Sequence, residues 1–99
     1  MLGAEFFEVS DNDTVGEAWL TTVNLLDILE HVHGMGEHYN FVQARTKVAK
    51  IYCLAESHHL DKSNAPCLCG LSASEHALLR RKILSFFRLL VRNLKHFLH

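Results

Sequence analysis

The residues best suited to bind a metal ion are concentrated in one stretch of the sequence. All three cysteines and three of the eight histidines lie between positions 53 and 76. Thiolate and imidazole are the ligands that zinc prefers in structural sites, usually four of them in tetrahedral geometry. The predicted zinc ligands are Cys53, His58, Cys67 and Cys69, with His59 and His76 as alternates. Such an ion would be structural, because four protein ligands leave no open position for a substrate.

The same cysteines have a second interpretation, without any metal. Cysteine is among the residue types most often buried, and it then behaves as a small hydrophobic side chain. Cys53 lies in an apolar stretch, and a single leucine separates Cys67 from Cys69. That spacing is less specific than the paired C-x-x-C of common zinc sites. On the sequence, a structural zinc site and a set of buried cysteines both remain open.

Motifs for catalysis are absent from the sequence. It contains no nucleophile elbow, no glycine-rich phosphate loop and no metalloprotease motif. A chain of 99 residues must commit most of its apolar side chains to a core, which leaves little room for a substrate cleft. We therefore expect no enzymatic activity and no small-molecule substrate.

Three predicted helices must position the candidate ligands. The stretch 75–99 has the clearest helical spacing, with one apolar face and one basic face. Thr14 with Glu17, and Ser72 with Glu75, have the spacing of capping boxes that start a helix. The predicted helices cover about 14–33, 38–56 and 72–98. We expect an all-α fold, a small antiparallel three-helix bundle that a zinc ion in the helix 2–helix 3 loop could staple.

Charge divides the chain into two unlike parts. Residues 1–34 hold seven carboxylates and no Lys or Arg, whereas residues 35–99 hold all ten Lys and Arg. We expect an acidic N-terminal tail over 1–13 and a single helical domain over 14–99. The Phe6–Phe7 pair is expected to pack on the core, because two exposed aromatic rings are costly. The acidic part would then lie beside the basic helix, so that their fields cancel.

The basic face of the third helix has several interpretations. It is formed by Arg81, Arg88, Arg92 and Lys95. These side chains could contact a phosphate backbone, lie on an anionic membrane, face an acidic protein or remain solvated. The aromatic residues fall on the opposite, apolar side, which weakens the case for stacking on nucleic-acid bases.

Three leucines lie at the edges of the apolar stripe of this helix, beyond what two neighbouring helices readily cover: Leu78, Leu84 and Leu89. We therefore expect a non-enzymatic protein–protein interaction module, either an adaptor or a small subunit of an assembly, that binds a protein partner or itself. The alternative is peripheral membrane or nucleic-acid binding through the basic C-terminal helix. The odd cysteine count, the lack of a secretory signal and the lack of a long apolar run favour a cytoplasmic or nuclear location.

Overall fold

The structure is a computed structural model that describes residues 6–33, 38–61 and 69–98. It contains α1 (Val15–His33), α2 (His38–Ser57) and α3 (Ala73–Leu94), followed by a short 3-10 helix (Lys95–Phe97). All three helices pack against one another, and the described residues contain no strand. The predicted all-α three-helix bundle is therefore confirmed. The third helix ends as an α-helix at Leu94, a few residues before its predicted end.

Both predicted capping boxes are present. The Thr14 backbone N–H donates to Glu17 Oε1 at 2.9 Å, and the Glu17 N–H donates to Thr14 Oγ1 at 3.0 Å. Ser72 and Glu75 make the same reciprocal pair at the start of α3, at 3.0 and 3.3 Å. Each box satisfies amide groups that have no partner within the helix, so the local sequence fixes where these two helices begin.

A long-range contact adds a second cap to α1. The Asp61 carboxylate, just beyond α2, accepts hydrogen bonds from the backbone N–H groups of Val15 and Gly16, each at 2.8 Å. A carboxylate at this position also interacts favourably with the positive end of the helix dipole. The contact shows that the end of α2 lies beside the start of α1, so the two helices are antiparallel.

The opposite end of the bundle is closed by aromatic rings. The Phe97 ring packs edge-on against Phe41, with centroids 5.6 Å apart, and also against the His33 ring. The His33 Nε2 atom lies 2.7 Å from the Phe97 carbonyl oxygen. The end of α1, the start of α2 and the 3-10 helix after α3 therefore meet at one place.

Residues 6–13 pack along α3. Phe7 and Val9 are buried in the core cluster, as the sequence predicts for Phe7, but Phe6 is 69% exposed and that part of the prediction is wrong. Arg88 donates to the Val9 carbonyl oxygen at 3.1 Å and forms an ion pair with Asp11. The acidic segment therefore lies beside the basic helix, as expected.

This segment explains one error of the sequence analysis. Leu84 was expected at an exposed edge, but it is only 2% exposed and belongs to the core. Arg80 and Arg88 flank Leu84 by one helical turn on either side. Their guanidinium groups bind backbone carbonyl oxygens of Asp13 and Val9. Residues 6–13 thus cover the side of α3 that two neighbouring helices alone would leave open.

Candidate metal centre

Two histidines and one cysteine converge where α2 ends and α3 begins. His58 lies in the turn directly after α2, Cys69 lies shortly before α3, and His76 lies in the first turns of α3. One ligand atom of each lies within 4.8 Å of the other two. Cys69 Sγ and His76 Nε2 are 3.1 Å apart, and the two imidazole rings are nearly perpendicular with centroids 6.3 Å apart.

The turn after α2 holds His58 in place. The Leu60 backbone N–H donates to the Ala55 carbonyl oxygen at 3.1 Å, and the Leu60 side chain is buried in the core. His59 adopts a left-handed backbone conformation with φ of 52°, which ends the helix and reverses the chain. Asp61 then fastens the turn to the start of α1. His58 is therefore anchored on both sides.

The capping box of α3 positions His76. The His76 backbone N–H donates to the Ser72 carbonyl oxygen at 2.9 Å, within the turn that the Ser72–Glu75 pair fixes. The hydrogen bond from the Ser72 N–H lowers the pKa of Glu75, so this carboxylate stays ionised, as the capping interaction requires. Between Cys69 and this helix, Gly70 has a φ of 83°, a conformation that favours glycine.

The donor set of this group is compatible with a zinc ion. In a tetrahedral site with Zn–S near 2.3 Å and Zn–N near 2.0–2.1 Å, neighbouring ligand atoms lie about 3.3–3.6 Å apart. Cys69 Sγ and His76 Nε2, 3.1 Å apart, are slightly closer than that, and the ligand atom of His58 lies within 4.8 Å of both. In addition, His58 Nδ1 is buried and has no hydrogen-bond partner among the described residues. A buried nitrogen without a hydrogen-bond partner destabilises the fold. Coordination of a metal ion by this atom would remove that cost.

The structure joins some of the predicted ligands and separates others. His58 and Cys69 belong to the group, and so does His76, which the sequence offered as an alternate. Cys53 is exposed on α2 and is not part of the group, because a position five residues before His58 faces another side of the helix. His59 is exposed and does not join it either. Cys67 lies outside the described residues and stays a prediction.

The basic face of α3 divides into two parts. Arg88 binds Val9 and Asp11, and Lys95 lies 3.5 Å from the Glu8 carboxylate. Arg81 and Arg92 are exposed on the other part. Two of the predicted partner-binding leucines lie there as well: Leu78 is 50% exposed and Leu89 is 56% exposed.

Fold and site together define a small all-α protein with a histidine–cysteine group that is able to hold a metal ion. Comparison of the chain with protein-family models, with curated proteins and with solved structures gives no match in any of the three. Among the described helices, none has both the length and the apolar character that crossing a bilayer requires.

Proposed function

We propose that the protein is a non-enzymatic helical interaction module whose fold is stapled by zinc. The observation that supports the zinc site is the convergence of His58, Cys69 and His76, with their ligand atoms within 4.8 Å of one another. A mixed set of imidazole and thiolate ligands is typical of structural zinc. Cys67, two residues before Cys69 in the sequence, is the proposed fourth ligand.

The proposed staple joins the two helices that are least held together by packing. α1 packs extensively on both α2 and α3, whereas α2 and α3 contact each other much less. One direct contact between them places the Lys47 ammonium 5.5 Å from the centroid of the Phe86 ring. A zinc ion bound by His58, Cys69 and His76 would fasten the end of α2 to the start of α3, and would keep α3 in place for binding.

The proposed interaction surface is the exposed part of α3. Leu78 and Leu89 expose about half of their surface. The other leucines of α3 belong to the core or are partly buried against it. The proposal rests on these two leucines lying on one side of α3 together with the exposed Arg81 and Arg92. We propose a protein partner, or self-association, at this surface. Thiolate ligands also suit a reducing compartment, so we propose a cytoplasmic or nuclear location.

Metal analysis tests the zinc site. Protein purified without added metal should contain about one zinc per chain, and the cobalt-substituted protein should show the intense visible absorption of tetrahedral Co²⁺. Cys69→Ser and His76→Ala should each lose the metal, and Cys67→Ser should do so if Cys67 is the fourth ligand. Cys53→Ser and His59→Asn are the matched controls, since Asn tolerates the left-handed backbone. Zinc loss in the controls, or zinc-free wild type that cannot be loaded, would contradict the proposal.

A second candidate function rests on the exposed arginines of α3. Arg81 and Arg92 have no carboxylate partner within the described part of the chain, so they are available to phosphate groups of a nucleic acid or an anionic membrane. Vesicle flotation and an oligonucleotide polarisation titration, each at low and moderate salt, test this candidate. Binding that weakens with salt and disappears in an Arg81→Glu/Arg92→Glu variant would support it.

A further inference from the structure

A pair formed by one leucine and one arginine occurs twice on the exposed side of α3. Leu78 precedes Arg81 by three residues, and Leu89 precedes Arg92 by three residues. The second pair follows the first by eleven residues, which is three helical turns and about 16.5 Å along the axis. All four side chains are exposed, and the spacing puts them on one side of the helix together with Ser85. These five residues are called the Leu–Arg face below.

Two shallow grooves lie beside this side of α3. One groove, of about 450 Å³, is lined by Asp11, Ala77, Arg80, Arg81, Leu84 and Ser85. The other, of about 250 Å³, is lined by Ser85, Arg88, Leu89 and Arg92. The grooves adjoin at Ser85, whose small side chain lies between the two Leu–Arg pairs. The grooves therefore border the face at Arg81, Ser85, Leu89 and Arg92, while Leu78 lies outside both of them.

The two arginines of the Leu–Arg face differ from Arg88 and Lys95 in having no ion-pair partner among the described residues. Arg88 and Lys95, on the neighbouring side of α3, are paired with acidic residues of the 6–13 segment. Arg81 and Arg92 make no such pair with any carboxylate of the described residues. The face therefore repeats, at helical spacing, an exposed leucine and an arginine that is unpaired among the described residues. It is complementary to a ligand that repeats an apolar group and a carboxylate at the same spacing.

We propose that the Leu–Arg face binds an acidic amphipathic helix of a partner protein. An apolar residue and a carboxylate that recur every eleven residues on that helix would contact both pairs at once, since eleven residues return to the same side of a helix. The leucines supply apolar burial, and the arginines select an acidic partner and fix its register. The inference rests on the proposed function, because it names the kind of partner that the interaction module takes.

The same observations make a membrane or a nucleic acid a poorer occupant. Of the three phenylalanines between residues 73 and 98 that could insert into a membrane, Phe87 is fully buried, Phe86 packs against the core and Phe97 is 41% exposed. Phe97 packs edge-on against Phe41 and His33. A nucleic acid would use the arginines but gain nothing from the two leucines, and no aromatic side chain lies on the face to stack on bases.

A designed peptide tests the proposal directly. The probe is a fluorescently labelled alanine- and glutamate-rich helix of about 24 residues, with Leu and Glu repeated at the eleven-residue spacing. Fluorescence anisotropy should show saturable binding at low ionic strength that weakens with salt. Two double variants should each lower the affinity for the probe by on the order of tenfold or more: Arg81→Glu/Arg92→Glu and Leu78→Ser/Leu89→Ser. Lys50→Glu, on the exposed side of α2, should leave it unchanged.

Two further peptides make the test specific. In the first, the second Leu–Glu pair is shifted by two residues, which turns it by about 200° around the helix, and its binding should fall on the order of tenfold. In the second, Lys replaces Glu, and it should bind the Arg81→Glu/Arg92→Glu variant better than the wild type. No saturable binding of the first probe, or equal binding of the shifted peptide, overturns the proposal. Binding to phosphatidylserine vesicles or oligonucleotide through these arginines, without peptide binding, overturns it as well.

Zinc content and circular dichroism of the same samples separate this proposal from the proposed zinc staple. Because the substituted side chains of the Leu–Arg face are exposed, the variants should stay folded and keep their metal. Folded, zinc-loaded protein that fails to bind the probe would contradict the docking proposal alone. Protein that binds the probe but contains and accepts no zinc would contradict the zinc staple alone.

Discussion

Removal of zinc should lower the thermal stability by an amount that follows from the chain it closes. The proposed ligands His58 and His76 enclose a segment of 19 residues. If coordination restricts the unfolded chain as a cross-link does, closing a segment of that length stabilises the fold by about 3 kcal/mol. The figure counts only the restriction of the unfolded chain, and tighter binding of zinc to the folded chain would add to it.

That free energy corresponds to a readily measured shift. For a domain near 100 residues, each kcal/mol changes the melting temperature by roughly 4–8 °C, so chelation should lower it by roughly 12–24 °C. The assay is a thermal melt followed by circular dichroism, under reducing conditions, with and without a chelator. Elemental analysis of the chelated sample must show that the zinc has gone.

Variants make this measurement decisive. Cys69→Ser should melt near the temperature of the chelated wild type and should not respond to chelator. Cys53→Ser, a change of the same type at an exposed position outside the ligand group, should keep the full chelator response. Equal melting temperatures for zinc-loaded and zinc-free wild type would refute the reasoning, because zinc at this site would then not stabilise the fold.

Three other predictions concern the bundle. Asp61→Ala should lower the free energy of unfolding, measured in urea titrations, by about 1–2 kcal/mol because α1 loses a cap. Asp61→Asn should lower it less. Equal stability of Asp61→Ala and the wild type would contradict this prediction. In the same titrations, Leu84→Ala should lower the free energy of unfolding by about 2–5 kcal/mol, and Leu89→Ala should change it by no more than about 0.5 kcal/mol. Equal losses would contradict the burial of Leu84 and the exposure of Leu89. Arg88→Ala should speed proteolysis within residues 6–13, and Arg92→Ala should not; identical digestion of both variants would show that Arg88 does not hold the segment.

Local sequence signals predicted the helices well. The Thr14–Glu17 and Ser72–Glu75 boxes mark where α1 and α3 begin, because the interactions that start a helix involve residues only three positions apart. The apolar periodicity likewise placed the buried side of α3. Such signals need no knowledge of distant parts of the chain.

Local sequence patterns do not predict contacts between distant parts of the chain. The burial of Leu84 depends on residues 6–13 crossing α3, which no local pattern announces. The choice of His76 over Cys53 as a ligand depends on packing between helices, because Cys53 faces another side of α2 whereas the start of α3 lies beside the end of α2. The spacing of cysteines and histidines located the site but could not select its members.

The hydrogen bonds from the first amides of α1 to Asp61 link the start of that helix to the turn that holds the proposed ligand His58. The amide protons of Val15 and Gly16 are held by a carboxylate 46 and 45 positions further along the chain. Their NMR signals should therefore move when zinc enters or leaves, although neither residue is near the ion's proposed ligands in sequence. A change at the start of α1 is thus transmitted to the end of α2 through these two hydrogen bonds, and the reverse holds as well.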